Sequence, residues 1–205
     1  METAEPIKEF GKVTNPAILG TFDAIRREDF VPLEIKLLAS LNEALPIGYG
    51  QTISQPLVVS FMLELLELKE GQKILDIGAG SGWTTALLAH IVGAQGKVVA
   101  LELIPEIAAF GKKNVEKYGF MKKGIARYLC QDGSKGYIYE APYDRILASA
   151  SLAKKEIPLA WREQLRIGGK IVVPIQNSIW VFTKKDKKTL AEQEYPGFVF
   201  VPFVS

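Results

Sequence analysis

From residue 72 onward the chain alternates short β-branched apolar runs with segments whose apolar positions recur at helical spacing. QKILDIG reads as a buried strand and Trp83 to Val92 as a helix. KVVALE is a second strand, and PEIAAFGKKNVEKYG an amphipathic helix that ends at Gly119, where glycine accepts the left-handed turn that stops a helix. ARYLCQD and YDRILASA are the third and fourth strands, IPLAWREQL a further helix, and GGKIVVPI the fifth strand. IWVFTKK and FVFVPFV are predicted to close the sheet as a hairpin. The charge run Lys184 to Lys188 then falls at the hairpin connection and reads as a solvated loop. Strands alternating with helices in this way predict an α/β fold with a mostly parallel sheet.

Before residue 72 the pattern differs. PAILGTFDAIRREDFVP and EIKLLASLNEA look helical, and PLVVSFMLELLELKEG reads as a helix with one apolar face, ending at Gly71. Between them lies LPIGYGQTISQP, residues 45–56, too polar for a strand and too rich in glycine and proline for a helix. There is no internal repeat and no low-complexity linker. The expectation is one domain over residues 1–205, with 1–71 a helical cap carrying the substrate loop and 72–205 the cofactor-binding core.

Composition narrows the function classes. The 25 basic and 23 acidic side chains nearly cancel, to +2, which supplies no basic face for nucleic acid. One cysteine, Cys130, cannot form an internal disulfide or a cysteine metal site. The single histidine, His90, sits near the end of a helical pattern and has no second histidine to share a metal or a triad. No metal site is expected. METAEPIKEF lacks a signal-peptide core, and no apolar run reaches membrane-span length, so a cytoplasmic protein without a membrane partner is predicted.

The chemistry concentrates at three strand ends. LDIGAGSG places Gly78, Gly80 and Gly82 between a strand and a helix, where glycine permits a tight turn and close backbone approach to a ligand. The spacing is not the G-x-G-x-x-G of a dinucleotide site, because position 83 is Trp, and no Gly-Lys-Ser/Thr follows for a triphosphate. Glu102 ends the second strand, where a carboxylate can accept from both hydroxyls of a ribose. Asp132 ends the third, placed to meet an adenine amino group, with Gly133 letting the backbone come close. Ligands of open α/β sheets sit outside the carboxyl ends of the strands. With no lysine or arginine in the loop to neutralise phosphate, S-adenosyl-L-methionine is the adenosine ligand that fits.

These residues also carry a resemblance over nearly the whole chain. DFVP, LPIGYGQTISQP, LDIGAGSGW, APYDRIL and FVPFV, in this order, resemble the protein-L-isoaspartate O-methyltransferase family. The resemblance implies a class I, Rossmann-like seven-stranded methyltransferase sheet with an N-terminal helical cap and a C-terminal antiparallel hairpin. It implies methyl transfer from S-adenosyl-L-methionine to the free α-carboxylate of L-isoaspartyl residues in damaged proteins; the oligomeric state is not read from the sequence, and a monomer is the expectation. Ser54, matching the serine of the family's TIS motif, becomes the catalytic candidate that orients the acceptor carboxylate; the alternative is that it only caps the helix starting at Pro56. Thr52, Ile53, Asp76, Gly78, Gly80, Ser81, Gly82, Glu102, Asp132 and Gly133 become the cofactor set, with Ser149 and Ala150 beside Ser54 on the substrate side.

Two departures fall on that substrate side. Some members carry histidines where this chain reads Leu57-Val58-Val59, and the fourth strand leads into Ser149-Ala150-Ser151-Leu152 where small residues are often followed by proline. Two other readings stay open at this level: a weak or inactive cofactor-binding relative, and a tRNA adenine-N1-type methyltransferase, which LDIGAGSGWTTALLAHIVGAQGKVVALE also resembles.

Overall fold

The structure is a computed structural model and describes residues 13 and 15–204. The stretch METAEPIKEF, in which no signal core is found, lies outside the described residues.

The chain opens with α1 (Pro16–Ala24), capped by the Asn15 side chain, which accepts from the Ala17 N–H. The long helix expected over PAILGTFDAIRREDFVP breaks at Ile25, whose backbone turns extended, and resumes only as a 3₁₀ turn over Arg27–Phe30; the helix expected over EIKLLASLNEA is reduced to 3₁₀ turns over Leu33–Leu38. LPIGYGQTISQP is not irregular. It forms an antiparallel hairpin of β1 (Leu45–Gly48) and β2 (Gln51–Ile53), turning through Gly48, Tyr49 and Gly50 at positive φ. Its polarity masks the fact that Leu45, Ile47 and Ile53 alternate inward.

Next comes α2 (Pro56–Leu65), which stops well short of the expected Gly71 because Glu67 takes a positive φ and turns the chain, while Leu66 and Leu68 still bury. The α/β part then runs β3 (Lys73–Ile77), α3 (Trp83–Val92), β4 (Lys97–Glu102), α4 (Pro105–Glu116), β5 (Ala126–Cys130) and β6 (Tyr143–Ala148). It ends with α5 (Leu159–Gln164), β7 (Leu165–Ile175), β8 (Ser178–Lys184) and β9 (Leu190–Pro196). Among the described residues these strands form a seven-stranded sheet in the order β5-β4-β3-β6-β7-β8-β9, parallel from β5 to β7 and antiparallel beyond.

The hairpin partner differs from the one the sequence suggests. LAEQEYP, not FVFVPFV, pairs with β8, in the register Lys184↔Leu190 to Ser178↔Pro196. β9 is an edge strand whose Ala191, Glu192, Gln193 and Glu194 face solvent, so it carries no apolar alternation to find, and its charges block further pairing. FVFVPFV instead runs back as a strap over the strand ends, tied where Ser151 N–H donates to Val201 O and Phe203 N–H to Ser151 O. Lys184 is a second correction: Lys185 to Lys188 are exposed, but the Lys184 ammonium is buried and donates to Arg162 O and Leu165 O at 2.5 and 2.6 Å.

Side chains of the sheet bury on both faces. Ile74 and Val98 pack with Ile18, Phe22, Leu63 and Leu87 on one side; Leu75, Ile77 and Val99 pack with Tyr143 and Trp161 on the other. The chain order reverses between β3 and β6, since β4 and β5 lie on one side of β3 and β6 on the other. That reversal leaves a crevice at the carboxyl ends of these strands. No helix among the described residues is long and apolar enough to cross a membrane.

Candidate active site

The crevice is occupied by a cleft of about 820 Å³, part of it open to solvent. One wall is the glycine loop after β3. Gly78, Gly80 and Gly82 all have φ between 57° and 86°, a region that strains any residue with a Cβ. Gly78 and Ala79 donate to Leu101 O at 2.9 and 3.0 Å, which hangs the loop on the end of β4. Gly111 of α4 comes close enough for its absent Cβ to be filled by Gly80 O and the Tyr128 hydroxyl; that hydroxyl donates to Gly80 O at 2.6 Å. Asn114 of the same helix donates to Ser81 O at 3.1 Å. The loop is therefore held from behind, with its front free.

Glu102 fixes the next corner. One carboxylate oxygen accepts from the Gly80 N–H at 2.9 Å and the other from the Ile104 N–H at 3.0 Å. A carboxylate has about four acceptor positions, so each oxygen keeps one for a ligand hydroxyl. Beneath the loop, Asp76 is fully buried, its Oδ2 accepting from the Thr84 and Thr85 hydroxyls at 3.1 and 2.6 Å, while Oδ1 has no partner among the described residues. Burial pushes its carboxyl up to about 6, against the two threonine hydrogen bonds, which pull it down.

The opposite wall comes from the cap and the strap. Thr52, Ile53 and Ser54 line the cleft from the hairpin side, and Val201 to Val204 from the strap. Ser149 and Ala150 line it after β6 and Gly133 after β5; Gly133 O accepts from Trp161 Nε1 at 2.8 Å, which anchors it to α5. Ser54 does not cap α2. Gln55 is the residue before that helix, and the Leu57 N–H is satisfied by Asn42 Oδ1 at 3.1 Å. No hydrogen bond engages the Ser54 hydroxyl among the described residues, and Ser54 lines the cleft.

Ten of the residues expected from sequence thus share one cleft: Thr52, Ile53, Ser54, Gly78, Gly80, Ser81, Glu102, Gly133, Ser149 and Ala150. Three stand outside its lining. Asp76 lies beneath the loop, Gly82 faces Gly111 and Val115, and Asp132 spends an oxygen on the Ser134 N–H at 2.8 Å. Sequence reasoning missed Trp83, Ile104 and the strap, whose FVPFV signal reads as a strand. Among the described residues, Glu102 is the one charged side chain of the lining, and no lysine, arginine or histidine faces the cleft. Such a lining suits a cationic adenosine ligand that brings no phosphate charge to be neutralised.

The family model described as protein-L-isoaspartate (D-aspartate) O-methyltransferase matches residues 2–205. The chain belongs to this family. Its relatives of the name protein-L-isoaspartate O-methyltransferase include one from Methanopyrus kandleri, 37% identical over 204 residues, covering 98% of this chain and 88% of that one. Another, from Aeropyrum pernix, is 39% identical over 208 residues, with 100% and 78% covered. A solved protein-L-isoaspartate O-methyltransferase structure superposes with a TM-score of 0.88 at 28% identity, over all of this chain and 66% of that one. As a protein-L-isoaspartate O-methyltransferase the chain is an enzyme of protein repair, and S-adenosyl-L-methionine is its methyl donor.

Proposed function

We propose that Ser54 orients the α-carboxylate of an L-isoaspartyl residue while the glycine loop and Glu102 hold S-adenosyl-L-methionine across the cleft. The observation that carries this reading is that Ser54 lines the same cleft as the loop and Glu102, with its hydroxyl in no hydrogen bond among the described residues. The cofactor, when bound, supplies an electrophilic methyl group on a sulfonium. A carboxylate is already ionised at neutral pH, so the acceptor needs no general base, and a lining without histidine suits the reaction. The remaining requirements are position and dryness. Ser54 meets the first by donating to one carboxylate oxygen, which leaves the other to attack. Ile53, Val59, Val201 and Phe203 meet the second by walling the cleft with apolar surface. Glu102 would accept from the ribose hydroxyls, and Gly133 would let the adenine approach the backbone after β5.

We also take residues 1–205 as one domain acting as a monomer in the cytoplasm, without nucleic-acid or membrane partners. Its cap residues Ile18 and Phe22 pack in one core with Ile74 and Val98 of the sheet, and the net charge is only +2.

Methyl transfer from labelled S-adenosyl-L-methionine to two peptides, identical except for one L-isoaspartyl or L-aspartyl linkage, tests the reaction. Base-labile label in the isoaspartyl peptide alone is expected. Label in neither peptide, with cofactor binding confirmed by calorimetry, would remove the repair reading.

A further inference from the structure

Among the described residues the cap contains one buried cation. Arg27 is 4% exposed, and among the described residues it has no carboxylate partner. Its fork spends itself on main-chain oxygens. Nη1 donates to Ala39 O at 2.9 Å and Leu41 O at 3.1 Å; Nη2 donates to Glu43 O at 2.7 Å, Ser54 O at 3.0 Å and, more weakly, Ile53 O at 3.4 Å. The guanidinium also lies over the Trp83 ring, 5.4 Å from its centroid. Trp83 opens α3 directly after the glycine loop and lines the cleft. One side chain therefore touches the end of the 3₁₀ segment, the approach to β1, the backbone of Ser54 itself and the tryptophan behind the glycine loop.

A charge buried this deeply without a counter-ion is costly, and a purely structural contact between apolar segments does not need it. Desolvation lowers the guanidinium to about 10, yet a group at that value stays charged at neutral pH, so all its N–H donors remain available. We propose that Arg27 is a positioning residue: it sets the distance and angle between the acceptor-orienting Ser54 and the cofactor loop. The proposal rests on the role of Ser54 as the group that orients the acceptor. Arg27 touches neither ligand; it acts by holding the carbonyls that precede and include Ser54. Lysine cannot replace it, because three donors on a compact ammonium cannot span this set of carbonyls and stack on an indole.

The test compares wild type, Arg27→Lys and Arg27→Ala in the full chain, by melting temperature, cofactor affinity, steady-state kinetics on an isoaspartyl peptide, and amide hydrogen exchange of the cofactor-free protein. Arg27→Lys is expected to melt cooperatively and to expose the amides of residues 51–57 to exchange about tenfold faster, with residues 73–102 unchanged. Its kcat should fall by about 10²-fold, while KM and the cofactor dissociation constant stay within roughly threefold. If Arg27→Ala fails to fold, Arg27→Lys decides alone. Unchanged exchange at residues 51–57, or cofactor affinity lost in step with kcat, would overturn the proposal. An inactive wild type would instead sink the reading of Ser54, and the exchange data would still judge the grip of Arg27.

Discussion

Asp76 gives the site a measurable pH signature. Its carboxyl, raised from 3.8 to about 6, binds its proton more tightly in the folded protein than in the unfolded chain. The stability it contributes is therefore fully present below about pH 4 and is lost as pH rises through 6, a change of about 3 kcal/mol. The stability of the cofactor-free wild type minus that of Asp76→Asn should fall by that order between pH 4 and 6 and then level off. A flat difference in denaturant titrations across this range would refute it. Ser54 makes the complementary prediction. Because Asn42, not Ser54, satisfies the Leu57 N–H, Ser54→Ala should leave the melting temperature nearly unchanged. It should lower kcat by roughly thirtyfold, about 2 kcal/mol for a lost hydrogen bond to a charged acceptor. Glu102 and the loop glycines were legible in the sequence because they fall at strand ends, where chain direction and residue type point to one place. Arg27 was not. In IRREDF two arginines stand side by side, Arg26 exposed and Arg27 buried, and only the folded carbonyls of residues 39–54 separate them.

Between elements, the decisive contact is α4 against the glycine loop. Gly111 sits within a helix, where alanine would be favoured by about 1 kcal/mol. Sterics outweigh that gain, since an added Cβ would run into Gly80 O and the Tyr128 hydroxyl, neither of them a flexible chain end. Gly111→Ala should cost about 1–3 kcal/mol in denaturant unfolding and weaken cofactor binding by moving the loop, which calorimetry would read. Element type followed the periodicity well for β3 to β6 and for α3 and α4, where apolar runs are long and both faces bury. It failed where burial is one-sided or absent: the hairpin of β1 and β2, hidden by its polar turn, and β9, hidden by its solvent-facing charges. Helix ends in the cap failed for another reason. Ile25 and Glu67 leave helical geometry without any glycine or proline to announce it.

Over the whole molecule, the seven strands are complete at Pro196, and the segment beyond β9 is devoted to the site. Phe198 still packs on Phe61, but Val201 to Val204 form a wall of the cleft, and Phe203 meets Trp161 edge-on at 5.8 Å. Ending the chain after Phe198 should therefore lower the melting temperature by only a few degrees, about 1 kcal/mol for a domain of this size. Turnover should drop by about tenfold or more, since water then reaches the acceptor. A truncated protein with full turnover would show that the strap is dispensable.

The clasp at Arg27 also bears on how this protein can change. A guanidinium that holds only carbonyl oxygens is indifferent to the side chains those carbonyls belong to. Leu41 and Tyr49, both solvent-facing, belong to the stretch between the clasped residues, and their side chains contribute nothing to the clasp. Those two positions are open to recoding: single substitutions at Leu41 or Tyr49 leave the acceptor serine in its place, whereas Asn42, Leu45 and Ile47 in the same stretch are held by their own contacts. Evolvability at the rim and rigidity at the reacting atoms are separated by one buried side chain.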